Sequence, residues 1–199
     1  MIAYDPTTAL VVVDLQNDFA DPHGSLFVPG GDLIVARVND EVQRAAADAA
    51  LVAYTQDWHP PSTPHFAKDG GTWPVHCVAD TWGAELHPGL VVVGPVVRKG
   101  SNGEDGYSGF TMRDQISGEE RPTELEAILR ESGASRIVVC GLATDYCVRG
   151  TVLDARSLGL YTIVLTDAVA AVALAAGDAE RALDEMVEAG AELAVGDAS

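Results

Sequence analysis

The segment "VVCGLATDYCVRGTV" spans Val138 to Val152. With the two residues before it, it opens as "RIVVCG" (Arg136–Gly141), an unbroken apolar run rich in β-branched residues. Runs of this kind suit strands buried on both faces. After "LATDY" a helical pattern runs from Cys147 to Leu158, and Gly159 ends it. The stretch therefore reads as strand, tight turn and helix, the repeating unit of a parallel sheet. A cysteine at the start of that helix is either a packing residue or a nucleophile.

The same unit recurs on both sides. "ALVVVDL" (Ala9–Leu15), "ALVAYTQD" (Ala50–Asp57), "LVVVGPVVRKG" (Leu90–Gly100) and "YTIVLTD" (Tyr161–Asp167) are further expected strands, and "AELAVGD" (Ala191–Asp197) is a weaker sixth. Helices are expected over Leu33–Ala47, Pro122–Ser132 and Asp178–Ala189. The alternation implies an α/β fold whose parallel sheet is covered on both faces. In such sheets function collects at the carboxyl ends of the strands. Two loops interrupt the pattern, "FADPHGSLFVPGG" (Phe19–Gly31) and the long irregular stretch Trp58–Gly89. Loops as long as the second are usually functional or disordered, and its aromatic residues argue against disorder.

A chain of 199 residues, 47% apolar, suits one domain with a sizeable core. A net charge of −18 makes nucleic acid and anionic membranes poor partners. No apolar run approaches the roughly 18 residues of a membrane span, and the N-terminus lacks the pattern of a signal peptide. Three cysteines, Cys77, Cys140 and Cys147, then suggest reduced thiols and a cytoplasmic location. The oligomeric state stays open, a homo-oligomer included.

Three expected strands lead to unlike polar groups: Asp14, Lys99 and Cys147. Taken singly, an Asp at a strand end is a turn residue, a Lys a solvated charge and a Cys a core residue. Together they count for more. The chain has two lysines against ten arginines, so Lys99 is no product of a general taste for Lys. A thiol at a helix start feels the positive end of the dipole, and a nearby ammonium would lower its pKa further. Backbone N–H groups there can hold an oxyanion. Cys140, inside "IVVCG", is expected in the core. A second cluster lies in the long loop, where Asp57, His59, His65 and His76 fall close together. Such N and O donors suit Zn²⁺, Fe²⁺ or Mn²⁺. Scattered histidines in a polar loop are the plain alternative, and Cys77 could compete as a ligand.

The segments "VVDLQNDF" (Val12–Phe19), "QDWHPPSTPHF" (Gln56–Phe66), "TWPVHCV" (Thr72–Val78), "RKG" with "YSGF" (Arg98–Gly100, Tyr107–Phe110) and "GLATDYCV" (Gly141–Val148) occur in the order found in one family. The chain resembles the nicotinamidases of the isochorismatase-like cysteine hydrolase superfamily. That resemblance implies a single domain over residues 1–199, a three-layer α/β/α sandwich with a mainly parallel six-stranded sheet, and a metal-binding loop insertion at about 57–89. It implies a catalytic triad of Asp14, Lys99 and Cys147, an oxyanion hole from the N–H groups of Ala143 and Cys147, and a cis peptide at Leu142–Ala143. It makes Asp57, His59, His65 and His76 ligands of one divalent ion, zinc first and iron or manganese next. Phe19, Trp73, Tyr107 and Leu142 would bind the substrate, a small amide such as nicotinamide or its isostere pyrazinamide, in NAD salvage. The stretch "SNGEDG" (Ser101–Gly106) matches nothing fixed in the family. Hydrolases of isochorismate, ureido acids or N-carbamoyl amides on the same fold generally lack the full Asp/His set. A non-catalytic binding module, and a metal hydrolase with a structural Cys147, are the readings from other classes.

Overall fold

The apolar runs decide the architecture because each must be buried on two faces. In the computed structural model, which describes residues 2–196, they form one six-stranded sheet. Its strands are β1 (Thr8–Val13), β2 (Leu51–Asp57), β3 (Val96–Lys99), β6 (Arg136–Leu142), β7 (Tyr161–Ala170) and β8 (Glu192–Ala194). The spatial order is β3-β2-β1-β6-β7-β8, and every pairing in it is parallel. All six residues of β1 are buried, as a central strand covered by two layers requires.

Helix α2 (Ile34–Ala47) covers one face, packing Val38, Val42 and Ala45 against Leu10, Val12 and Val138. Helices α3 (Leu125–Ser132), α4 (Arg149–Ser157) and α5 (Asp178–Glu188) cover the other. There Leu125, Leu129, Val152 and Met186 meet Val11, Val13 and Val139. A short helix α1 (Asn17–Ala20) follows β1 directly. The crossover from β2 to β3 has no α-helix: residues 58–95 hold only two 3₁₀ turns, Ala67–Asp69 and Trp82–Ala84. This is the long loop, and it takes the place a helix would fill beside α2, with Cys77, Ala84 and Leu90 in the core of that face. Among the described residues no helix is long and apolar enough to cross a membrane.

Four expectations need correction. Leu90–Gly100 is a strand only from Val96, because Pro95 lacks a ladder N–H and Gly94 crosses Val52, where a Cβ would lie 1.8 Å from the Val52 oxygen. Val91 is tied instead to Asn39 of α2 through its backbone N–H (2.8 Å), and Val93 is 54% exposed. Pro122 is not in a helix. It pairs in a small antiparallel hairpin, β4 (Thr111–Arg113) with β5 (Glu120–Pro122), and α3 starts after Thr123, whose Oγ1 accepts the Leu125 N–H (3.1 Å). The expected helix from Cys147 begins earlier and differently: Thr144–Val148 is a wide turn in which the Val148 N–H reaches back five residues to the Ala143 oxygen (3.0 Å), and α4 continues from Arg149. The sixth strand is shorter than Ala191–Asp197, and Asp197 lies outside the described residues.

The chain turns away from β1 in two directions, through β2 to β3 and through β6 to β8, so the carboxyl ends of β1 and β6 flank the crevice where such sheets bind ligands. Gly141 makes that crevice sharp. Its φ is +109°, and a Cβ there would sit 2.1 Å from the Val13 oxygen. Gly141→Ala should therefore cost at least about 2 kcal/mol, from strain and from the collision with β1. Urea unfolding of the variant beside the wild type measures it.

Candidate active site

Four neighbouring strands each send one polar residue to the same point. Lys99 ends β3, Asp57 ends β2, Asp14 follows β1 and Cys147 lies in the turn after β6. The Lys99 ammonium stands between them, 2.7 Å from Asp14 Oδ2, 2.5 Å from Asp57 Oδ1 and 3.7 Å from Cys147 Sγ. It also donates to the Gly106 carbonyl oxygen. Lys99 and Asp14 are fully buried, and Cys147 is 8% exposed. Asp14 takes a positive φ of 45°, a conformation Asp tolerates better than most residues. Its Oδ1 accepts the hydroxyl of Thr55 on β2 (2.7 Å). Thr55 carried no signal in the sequence, being one more β-branched residue in a strand.

His59, His65 and His76 come together in space. One ligating atom from each of His59, His65 and His76 lies within 4.8 Å of the others, and Asp57 Oδ2 is 3.7 Å from His59 Nε2. The donor set fits a divalent cation on several grounds. Both ring nitrogens of His59 are buried without a hydrogen-bond partner. His76 Nδ1 is 2.8 Å from the Pro74 carbonyl oxygen, which leaves its Nε2 lone pair to the cluster. Burial lowers the His76 pKa to about 4, so its imidazole is neutral, as a ligand must be. Cys77 turns away and takes no part: its sulfur points toward the Gly83 oxygen.

An apolar cleft joins the two groups. Phe19, Trp73, Tyr107, Ala143, Cys147, Asp57, His65 and His76 line it. Leu26, Val28, Tyr146 and Val172 complete its wall. The expected Leu142 does not: its side chain packs into the core under α2, while the Leu142–Ala143 peptide is cis. Trp73 Nε1 donates to the Tyr107 hydroxyl (2.7 Å), and its ring stands edge-on to Tyr146 with centroids 4.8 Å apart.

The sequence profile of the isochorismatase domain matches residues 8–197. The chain belongs to the isochorismatase family. It is 40% identical over 190 residues to the nicotinamidase/pyrazinamidase of Mycobacterium tuberculosis, covering 93% of this chain and 97% of that relative. The crystal structure of PnC1 from L. infantum in complex with nicotinate superposes with a TM-score of 0.86 at 35% identity, covering 98% of this chain and 96% of the other. The pyrazinamidase of Pyrococcus horikoshii in complex with zinc superposes with a TM-score of 0.84 at 40% identity, covering 96% and 100%.

In this isochorismatase-family protein the two carboxylates on Lys99 are driven apart. Burial raises the Asp14 pKa, and Lys99 only partly opposes it. Burial also pushes Asp57 up, but Lys99 and His59 outweigh it and hold that carboxyl below the ordinary range. Lys99 loses charge stability to burial and regains more from Asp14 and Asp57, so it stays protonated. Burial, with the two carboxylates behind it, lifts the Cys147 thiol well above its usual pKa despite Lys99. The expectation of a lowered thiol pKa is thus overturned. The resting sulfur is a thiol and needs a base, and Asp14 is the carboxylate with the higher proton affinity.

Three consecutive side chains after β1 pin the long loop around this site. Gln16 brackets Asp57, giving its Nε2–H to the Asp57 oxygen and accepting the Asp57 N–H (both 2.8 Å), and also donates to the Ala84 oxygen. Asn17 Nδ2 donates to the Trp82 oxygen (2.7 Å). Asp18 accepts the N–H of Cys77 (2.7 Å), next to His76, and that of Ser25 (2.9 Å).

Lys99→Met would leave two buried carboxylates facing each other, at a cost of about 3–5 kcal/mol near pH 7. Without the ammonium, both carboxyls hold protons more tightly folded than unfolded, so the variant gains stability as pH falls. In the wild type the Lys99 ammonium keeps Asp57 ionised below the ordinary range and opposes the rise at Asp14, so the wild type gains less stability than the variant as pH falls from neutrality. Urea midpoints of the two proteins should therefore draw closer as pH falls from neutrality towards the ordinary carboxylate range.

Proposed function

We propose that this protein is a cytoplasmic nicotinamidase of NAD salvage, hydrolysing nicotinamide to nicotinate and ammonia and cleaving pyrazinamide as well. The observation that carries the reading is a buried Asp14/Lys99/Cys147 cluster whose sulfur lines the same aromatic cleft as His65 and His76 of a three-histidine cluster, with Asp57 between the two groups. Near-full-length identity to nicotinamidases supports it.

The amide carbon meets the Cys147 sulfur while Asp14 takes the thiol proton. Lys99 holds Asp14 in place and balances the charge on sulfur as it develops. The carbonyl oxygen becomes an oxyanion held by the N–H groups of Ala143 and Cys147. Asp14 returns the proton to the departing nitrogen, ammonia leaves, and an acyl thioester remains on Cys147. A water then adds to the thioester as Asp14 accepts its proton; collapse of the second tetrahedral adduct breaks the carbon–sulfur bond, Asp14 returns the proton to the sulfur, and the acid leaves as nicotinate after losing its proton to solvent. Asp57, His59, His65 and His76 would hold one divalent cation, zinc first, with iron and manganese as alternatives. When bound, the cation supplies a Lewis-acid anchor for the ring nitrogen of the substrate. Phe19, Trp73 and Tyr107 enclose the ring and keep bulk water from the sulfur. Fixing the ring at both ends favours the attack geometry, a contribution that can reach several kcal/mol.

Cys147→Ala should release no ammonia from nicotinamide while keeping its fold by circular dichroism, whereas Cys140→Ala should stay active. Robust turnover in Cys147→Ala would sink the triad. Benzamide, which lacks the ring nitrogen, should be a far poorer substrate, and chelation should suppress nicotinamide turnover until a first-row divalent ion is restored. Because Asp14 is raised, kcat/KM should fall on the acid side at a pH above the ordinary carboxylate value of about 3.9. A pH–rate profile locates that limb.

A further inference from the structure

The stretch Ser101–Gly106 matched nothing in the family pattern, yet its Asp105 meets a metal-ligand candidate directly. Asp105 Oδ1 lies 2.7 Å from His65 Nδ1. Gln115 Nε2 donates to Asp105 Oδ1 and lies 3.1 Å from the same His65 nitrogen. The backbone of Asp105 is fixed as well. Its N–H donates to the Arg113 oxygen (2.7 Å) and its oxygen accepts the Arg113 N–H (3.0 Å), an antiparallel bridge onto the β4–β5 hairpin. Thr63, two residues before His65, donates its hydroxyl to the Gly103 oxygen (2.7 Å). The Ser101–Gly106 stretch is thus joined to the metal loop at two points, Thr63 and His65, and to the hairpin at Arg113, with the Asp105 carboxylate facing the imidazole.

The three histidines are not supported alike. His76 Nδ1 faces a backbone carbonyl oxygen, and neither ring nitrogen of His59 has a partner. Of the three, only His65 has a carboxylate within hydrogen-bond distance of a ring nitrogen, Asp105 Oδ1 on Nδ1. A carboxylate in that position fixes the tautomer with the proton on Nδ1, leaves the Nε2 lone pair for a cation, and makes the imidazole a stronger donor. A tie that merely held the hairpin to the loop would not need a charge.

We infer that Asp105 is a positioning residue of the metal centre, setting the tautomer and donor strength of His65 while Gln115 orients its carboxylate. The inference rests on the reading of Asp57, His59, His65 and His76 as ligands of a divalent cation. Partners of this kind are worth roughly 10–100-fold in metal affinity.

The test is zinc affinity, measured by competition with a chromogenic chelator, for the wild type, Asp105→Asn, Asp105→Ala, His65→Ala and the double variant His65→Ala/Asp105→Ala. The melting temperature of each metal-free protein is recorded alongside. Asp105→Ala should bind zinc roughly 10–100-fold more weakly. Asp105→Asn should fall between, since its amide oxygen still accepts the Nδ1 proton but carries no charge. In the His65→Ala background, removing Asp105 should cost nothing further, and the metal-free melting temperatures should match those of the Asp105 parents. Unchanged affinity in both Asp105 variants, or the same loss with and without His65, would overturn the inference and leave the ligand set standing. Failure of the wild type to bind zinc stoichiometrically would overturn both. If Asp105→Ala melts early without metal, the isosteric Asp105→Asn decides.

Discussion

A single ammonium organises this molecule. Lys99 is fully buried, and an unpaired cation in such a place would be expelled or neutralised. It stays charged because Asp14 and Asp57 lie within contact of it and Gly106 offers a carbonyl oxygen. Those partners come from different strands, so the ion cluster can form only if β3, β2 and β1 lie side by side and point the same way. The parallel sheet supplies this, since all its carboxyl ends share one edge. The thiol after the next strand in order, β6, then falls beside the same ammonium. In the proposed reaction a proton passes from Cys147 to Asp14 inside this cluster. The net charge of the site does not change, and negative charge moves only between two neighbours of one cation. That is an inexpensive step in a dry environment.

The residues that the sequence marked were those whose type is wrong for their local pattern. Asp14 and Lys99 end apolar runs, Cys147 opens an expected helix and the histidines crowd a loop, so each is a candidate before any geometry. The sheet was visible for the same reason, because β-branched runs between turn residues have few other uses. What stayed hidden depends on distance across the fold. Asp57 could be placed among the metal ligands, but nothing local says that its other oxygen holds Lys99. Thr55 and Asp105 have ordinary neighbours in the chain and meet Asp14 and His65 only in space. The Cys147 pKa moves opposite to the sequence expectation because dipole and ammonium are legible in sequence while burial of the thiol is not. Leu142, expected in the cleft from the family resemblance, sends its side chain to the core. The valines at 91–93 show that an apolar run is not enough where Gly94 and Pro95 interrupt the ladder.

The two functional clusters are not independent pieces. Asp57 touches Lys99 with one oxygen and approaches His59 with the other. Asp105 and Gly106 repeat the pattern along the backbone, one facing His65 and the next accepting from Lys99. The segment between β3 and β4 therefore supports both clusters with adjacent residues.

The helix-free crossover has a consequence for how this chain can vary in length. A loop with no ladder of its own would ordinarily accept insertions along most of its course. Here the Asp57 backbone, the Cys77 N–H and the oxygens of Trp82 and Ala84 are each fastened to Gln16, Asn17 or Asp18. The loop is a string of short arcs between fixed posts. Extra residues can be absorbed in an arc that bulges toward solvent, such as the exposed turn around Lys68–Gly70. One residue added between Trp82 and Ala84 would shift a post out of reach of its side chain, and the loss would be felt at Asp57 through the shared Gln16.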